Sequence, residues 1–438
     1  MAQESGYREA LRRLDAVGAE VGSGIRPNVE RIKALMELLG NPQDTYPAIQ
    51  VAGTNGKSST TRMIATILGA HGLNAGFYTS PHLQSPRERF GLAGLGPQGP
   101  VVEMISKESF AGVFDYLTLF IEKVENETLD RVTYFETTTA VAFTWMAEIP
   151  VAVGVFEAGL GGLWDATNLV ASSVAVLTHV DVDHAEFLGT TPLENATEKV
   201  GILKPDAIMI SAKQQRDVFE LIDRTAGHRL KYMGRDFEIT TDEPALGGRF
   251  LSVRGLFTDY QELSLPLYGP HQSRNLALAI AACEAFLDRA LDPLALKEAL
   301  RIITSAGRME IAGRRPLVVI DGAHNPDGAA ALTEAIGQSF PRTKLTLIAG
   351  ISEGKDSTGI LQHLLPLADR VIYTRGTHPR STDPHLLPTL GRDVEIIEPF
   401  SKAIDVARDQ ASEEDMIVVA GSLFLSGEAR DYLVGSVD

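Results

Sequence analysis

The sequence predicts an α/β protein of two domains: an N-terminal P-loop ATPase-type unit, with a mostly parallel sheet and helices on both faces, and a smaller C-terminal Rossmann-like α/β unit. Three observations predict it. From residue 48 onward, short apolar runs alternate with amphipathic helical stretches, the pattern of parallel strands covered on both faces. A glycine-rich turn, Gly53-Thr-Asn-Gly-Lys-Ser-Ser59, joins the first apolar run to a helix. The pattern then changes around residues 292–312, where Ser305-Ala-Gly-Arg-Met-Glu310 reads as a connector. The boundary is expected near residue 304, giving units 1–304 and 305–438.

In chain order, residues 8–16 and 29–39 read as helices, the second with Val29, Ile32, Leu35, Met36 and Leu39 on one face and Gly40 as its C-cap. Gly22-Ser-Gly-Ile-Arg-Pro27 between them reads as a loop. Residues 48–52 form a buried strand, after which Gly53 and Gly56 can take positive φ and bring the backbone close to a phosphate. The N–H groups of the turn and the helix N-terminus then face the anion. Lys57 reaches the outer phosphates, and a Ser58 or Ser59 hydroxyl lies near Mg²⁺. The usual nucleotide loop has a glycine where this chain has Val51, so a shortened loop is expected. Met63, Ile64, Ile67 and Leu68 form the buried stripe of the following helix. Residues 75–79 read as a second strand, and residues 80–99, with Glu88 and Arg89 inside, as a long loop without regular structure, of the kind that is usually functional or disordered.

Residues 107–123 and 134–148 read as helices and 151–156 as a strand that ends in Glu157-Ala-Gly-Leu-Gly-Gly162. A carboxylate beyond a strand's carboxyl end, followed by glycines, is placed to hold a hard cation beside phosphate oxygens. The next strand, 174–178, runs into His179-Val-Asp-Val-Asp-His184, an unusual density of ligands, although a lone histidine is more often structural. Thr191-Pro-Leu-Glu194 carries the marks of a helix start, and that helix delivers Glu198-Lys199. A strand at 206–211 and a small antiparallel element at 236–268 follow. His271-Gln-Ser-Arg-Asn275 enters an Ala-rich helix in which Asn275 is either a cap or a ligand for a base edge, and Cys283 is a small core residue. In the second unit, strands near 316–320, 344–349, 370–374 and 415–420 alternate with helices near 328–338, 358–365, 400–411 and 423–435. Its first strand ends in Asp321-Gly-Ala-His-Asn-Pro326, again at a carboxyl end.

With 438 residues, 44% of them hydrophobic, the chain can bury the cores of two or three domains. A formal charge of −17 without any basic run argues against nucleic-acid or anionic-membrane partners. The single cysteine excludes an internal disulfide and a cysteine metal cluster. Met1-Ala-Gln-Glu-Ser5 lacks a signal peptide's apolar core, and no apolar run of about 18 residues occurs, so a cytoplasmic protein is expected.

Gly53-Thr-Asn-Gly-Lys57 followed by small hydroxylic residues resembles the ATP loop of the Mur ligase superfamily. Together with Tyr78-Thr-Ser-Pro-His-Leu83 it resembles that superfamily's folate branch, the folylpolyglutamate and dihydrofolate synthases. Thr133–Glu136, Glu157–Asn168, Asp181–His184, Glu198–Ile202, His271–Asn275, Gly307–Glu310 and Asp321–Pro326 follow in the branch's order, so the resemblance covers nearly the whole chain. Two positions depart from it: Ser58 stands where the branch has Gly after the lysine, and Leu163 stands where it commonly has Arg. Leu163 removes a cation from a segment that contacts the pterin-bearing substrate in relatives.

The resemblance implies two Mur-ligase-type domains and an ATP-dependent amide ligase acting through an acyl phosphate. The substrates would be a folate or dihydropteroate, L-glutamate and ATP, with two Mg²⁺ ions and a monomeric enzyme. Gly53, Thr54, Asn55, Gly56, Lys57, Ser58, Ser59, Asn275, Arg308 and Asp321 would bind the nucleotide. Ser80 and Glu157 would hold one Mg²⁺ and His184 the second. Lys57, His184, Lys199, Asp321 and His324 would form the catalytic set, with Lys199 carbamylated. Thr133, Tyr134, Phe135 and Glu136, with Trp164, Asp165 and Ala166, would form the pterin pocket. A Mur-type cell-wall ligase shares the chemistry but normally carries a further N-terminal UDP-binding domain, for which too few residues precede the loop. A non-catalytic nucleotide switch would need the loop but not the two further ligand-bearing strand ends.

Overall fold

The computed structural model describes residues 2–17 and 28–438; the expected loop at Gly22–Pro27 lies outside them. Its larger sheet has eight strands, β1 (Ala48–Ala52), β2 (Ala75–Tyr78), β3 (Phe90–Gly96), β4 (Gly99–Met104), β5 (Val153–Glu157), β6 (Ser172–Leu177), β7 (Ile208–Ser211) and β8 (Leu230–Tyr232). Their spatial order is β4-β3-β2-β5-β1-β6-β7-β8, parallel except for the antiparallel β2-β3-β4 edge. β1 lies between β5 and β6, which its chain reaches only much later. A crevice opens beyond the carboxyl ends of such strands.

One face of this sheet packs on the helices Lys57–Ala70 and Pro270–Leu287, whose apolar residues are almost all buried, Cys283 among them. The other face packs on Ala2–Ala16, Glu30–Leu38, Lys107–Thr128 and Tyr134–Glu148. The antiparallel element expected at 236–268 is three strands, β9 (Glu238–Ala245), β10 (Gly248–Arg254) and β11 (Asp259–Leu265), laid against Pro270–Leu287.

The expected irregular loop at 80–99 is a correction. It holds a 3-10 turn, Pro86–Arg89, the whole of β3 and the start of β4. Three glycines in Phe90-Gly-Leu-Ala-Gly-Leu-Gly96 conceal that strand. They are there because neighbours press on it: a Cβ at Gly91 would fall 2.1 Å from the Phe77 ring. The same crowding acts from the helix side, where a Cβ on Gly69 would lie 2.8 Å from the backbone of Ala93 and Gly94. Gly69→Ala is therefore expected to destabilise by about 1–2 kcal/mol, because overpacking against backbone outweighs the ~1 kcal/mol gain in helix propensity. A urea midpoint at or above wild type would contradict this.

The second sheet has six strands, β12 (Glu310–Arg314), β13 (Leu317–Ile320), β14 (Leu345–Ala349), β15 (Arg370–Tyr373), β16 (Glu395–Ile396) and β17 (Met416–Ala420). Their order is β12-β13-β17-β14-β15-β16, with only β12 antiparallel. Helices cover both faces: Pro326–Ser339 and Ser357–Leu364 on one, Phe400–Gln410 and Leu423–Leu433 on the other. The stretch 305–310, read as a connector, leads directly into β12, whose Gly313 and short length hid it from the periodicity.

Candidate active site

The carboxyl ends of the two sheets face one another across a cleft of about 1300 Å³. That exceeds the ~300–1,000 Å³ of a single-ligand pocket, so several ligands fit at once. The N-terminal unit lines it with the β1–helix turn, and the other unit with Asp321, His324, Lys355 and Arg380.

Gly53 and Gly56 adopt φ of +144° and +85°, and both are required by close approach as well. A Cβ on Gly53 would sit 1.8 Å from Thr178 Oγ1, and one on Gly56 2.5 Å from Asn275 Oδ1. Thr54 pins the turn from below by donating to the Asp181 carbonyl at 2.7 Å. Lys57 Nζ donates back to the Thr54 carbonyl at 3.1 Å, which folds the ammonium over the turn. Asn55 reaches across the cleft to Asn325 (3.0 Å) and Asp327 (2.7 Å) at the N-terminus of Pro326–Ser339. Asn275 lies in the second turn of Pro270–Leu287, so it is not a cap, and its Nδ2 donates to Gln272.

Glu157, at the end of β5, is almost wholly buried and accepts from the Ser58 hydroxyl at 2.9 Å and the Ser80 N–H at 3.0 Å. Burial raises its pKa, and the Lys57 cation opposes that shift. A buried carboxylate beside two serines is a hard oxygen set that fits Mg²⁺. Ser59 turns away to Ser305 Oγ at 3.1 Å, leaving Ser58 as the loop serine at Glu157.

Thr191 caps its helix with Glu194 in a reciprocal pair, and the helix end buries Lys199. Burial lowers the Lys199 pKa to about 7, with Lys57 adding to the shift and Asp183, Asp165 and Glu198 opposing it. Near Asp183, burial brings His184 down to about 3 and His324 to about 4. Both rings are thus uncharged at neutral pH, and His324 donates from Nδ1 to the Gly322 carbonyl at 2.8 Å. Asp321 accepts from the N–H groups of Met309 (2.9 Å) and Ala323 (2.8 Å). Gly322 leaves room for Arg308, whose Nη1 a Cβ there would meet at 2.3 Å.

The far end of the cleft is aromatic, with Tyr134, Phe135 and the half-exposed Trp164. Thr133 and Glu136 line it too, but they form the capping box of Tyr134–Glu148, and Glu136 also holds the buried Arg31 through Nε at 3.1 Å. Their Thr-x-x-Glu spacing is a cap signature that the sequence displays. Asp165 accepts from Leu160 N–H (2.8 Å) and Thr167 N–H (2.9 Å), and Ala166 starts the turn after it. Leu163 is exposed.

Lys355 and Arg62 escaped the sequence reading, and so did the contacts that Glu88 and Arg89 make. Lys355, after β14, bonds Asp183 at 2.7 Å across the cleft, and the carboxyl-end rule applied to every strand would have found it. Glu88 folds the 80–89 turn by accepting from the N–H groups of Leu83, Gln84 and Ser85 at 2.9–3.0 Å. Arg62 donates to the Glu88 carbonyl at 2.7 Å, and Arg89 donates to His82; neither contact left a sequence signal.

Two facing α/β sheets with a phosphate-loop cleft between them define a Mur-type ligase, and residues 307–423 match the family model described as Mur ligase, glutamate ligase domain. The chain is 36% identical to a dihydrofolate synthase/folylpolyglutamate synthase of Mycobacterium tuberculosis, over 93% of this chain and 90% of that one. A solved M. tuberculosis folylpolyglutamate synthase complexed with ADP and AMPPCP superposes with a TM-score of 0.89 at 33% identity, covering 98% of this chain and 99% of that one. A folylpolyglutamate synthase complex with AMPPCP and folate gives 0.84 at 28% identity, covering 98% and 100%. The chain belongs to the folylpolyglutamate synthase/dihydrofolate synthase family. Among the described residues, no helix is long and apolar enough to cross a membrane.

Proposed function

We propose that this chain joins the amino group of L-glutamate to the carboxylate of a folate or dihydropteroate at the expense of ATP. The observation that carries this reading is one cleft holding a phosphate loop, a buried carboxylate, a buried lysine and an aromatic end. The substrate carboxylate oxygen attacks the γ-phosphorus and ADP leaves; the glutamate amine, having lost its proton, attacks the acyl carbon and phosphate leaves. Several anionic oxygens must approach one another, so the site has to offset charge where water is scarce.

Lys57 and the N–H groups after Gly53 hold the phosphates. Asn275 and Arg308 contact the nucleotide from either side, and Asp321 meets it from the second unit. Glu157, Ser58 and Ser80 would hold one Mg²⁺, and His184 with a carbamylated Lys199 would hold a second; the ions would offset phosphate charge. His184 and His324, being uncharged, add no cation there. Residues 1–304 and 305–438 are the two domains, and the pairs Asn55–Asn325 and Asp183–Lys355 fasten them over the substrates. The protein acts as a monomer in the cytoplasm.

ADP release that requires both glutamate and a reduced folate tests the reaction, and release at an equal rate without glutamate would overturn it. Running dihydropteroate beside tetrahydrofolate separates first addition from chain extension. Closure has its own test. Lys355→Ala leaves Asp183 short of its part-buried partner and is expected to expand the ligand-free protein in small-angle scattering; an unchanged profile would contradict closure.

A further inference from the structure

We propose that His82 is a substrate-binding residue whose Nε2–H donates to an acceptor oxygen on the acyl side of the folyl substrate. This rests on the reading above. Arg89 is almost wholly buried and donates from Nε to His82 Nδ1 at 2.9 Å. A guanidinium has only donors, so Nδ1 must present its lone pair, and the ring proton is left on Nε2. Arg89 is held in turn beneath the Tyr134 ring, 5.1 Å from its centroid. Glu88 fixes the turn from the next position by accepting from the three N–H groups of Leu83 to Ser85.

The imidazole thus has one tautomer and one orientation, and it lines the cleft. No hydrogen bond within the described residues uses Nε2, and that atom is not sealed from the cleft. His82 stands two residues from Ser80, whose N–H meets Glu157, and its Arg89 partner touches the aromatic wall at Tyr134. A fixed donor between an aromatic wall and a phosphate site suits the oxygen that joins the aromatic part of the substrate to its reacting end. In dihydropteroate this is a carboxylate oxygen on the ring; in a folate monoglutamate it is an amide carbonyl.

His82→Phe keeps an aromatic ring of similar size and removes the donor. It is expected to raise KM for tetrahydrofolate about tenfold, the loss of one hydrogen bond worth ~1.4 kcal/mol, with KM for ATP and glutamate unchanged. His82→Gln, which can place an N–H near the Nε2 position, should recover part of that loss. A larger effect on dihydropteroate than on tetrahydrofolate assigns the carboxylate oxygen; the reverse assigns the amide carbonyl. A folded His82→Phe enzyme with wild-type KM for both pterin substrates would overturn the inference and leave the ligase reading intact, as would all three KM values moving together. Nitrogen-15 shifts placing the proton on Nδ1 would overturn it independently.

Discussion

Lys57→Ala is expected to lower kcat by roughly 10²–10³-fold, the usual cost of removing one preorganised charge from a developing anion. The fold should survive. Its ammonium is only part-buried, bonds one loop carbonyl and belongs to neither apolar core, so unfolding free energy should stay within about 0.5 kcal/mol. Lys57→Arg should not restore the rate fully, because a planar fork does not fit where the loop has folded a point charge back over itself. Wild-type turnover in a folded Lys57→Ala protein would remove the phosphate loop from the mechanism.

Lys199→Ala carries the second large effect, the loss of glutamate-dependent turnover. Burial brings its amine down to about 7, so that near neutral pH about half of it is the free base. That form adds carbon dioxide and releases a proton, turning a cation into a carbamate anion. Each pair of unit charges ~4 Å apart interacts by about 4 kcal/mol at an effective dielectric of about 20, so near a divalent ion the change of sign turns a repulsion into an attraction. Below pH 7 the amine is increasingly protonated, so carbamate and activity should fall together; above it both should hold. Carbon-13 bicarbonate should label one lysine in the wild type and none in Lys199→Ala. An unlabelled active enzyme, indifferent to removal of carbon dioxide, would contradict the carbamate.

The fold was legible where local chemistry and global packing agree. The β1–glycine turn–helix unit, the capping box at Thr191 and the Pro326 helix start all state their structure within a few residues. It was illegible where a distant neighbour decides. The glycines of β3 exist for Phe77 and the helix at Gly69, so the strand looked like loop. The cleft-lining positions at strand ends were legible because strand and turn announce them. Asp183–Lys355 and Arg89–His82 were not, since each pair joins side chains that only the folded chain brings together. Thr133 and Glu136 carry a second role that their spacing also displays: the motif closes a helix end, and the buried Arg31–Glu136 pair binds that helix to Glu30–Leu38.

The most direct test of the central claim follows one oxygen. With tetrahydrofolate or dihydropteroate labelled with oxygen-18 in the reacting carboxylate, the acyl phosphate carries that oxygen between carbon and phosphorus. Attack by the glutamate amine then releases it on phosphate. One labelled oxygen in the inorganic phosphate for each amide formed is the predicted result, and unlabelled phosphate alongside amide product would contradict the account.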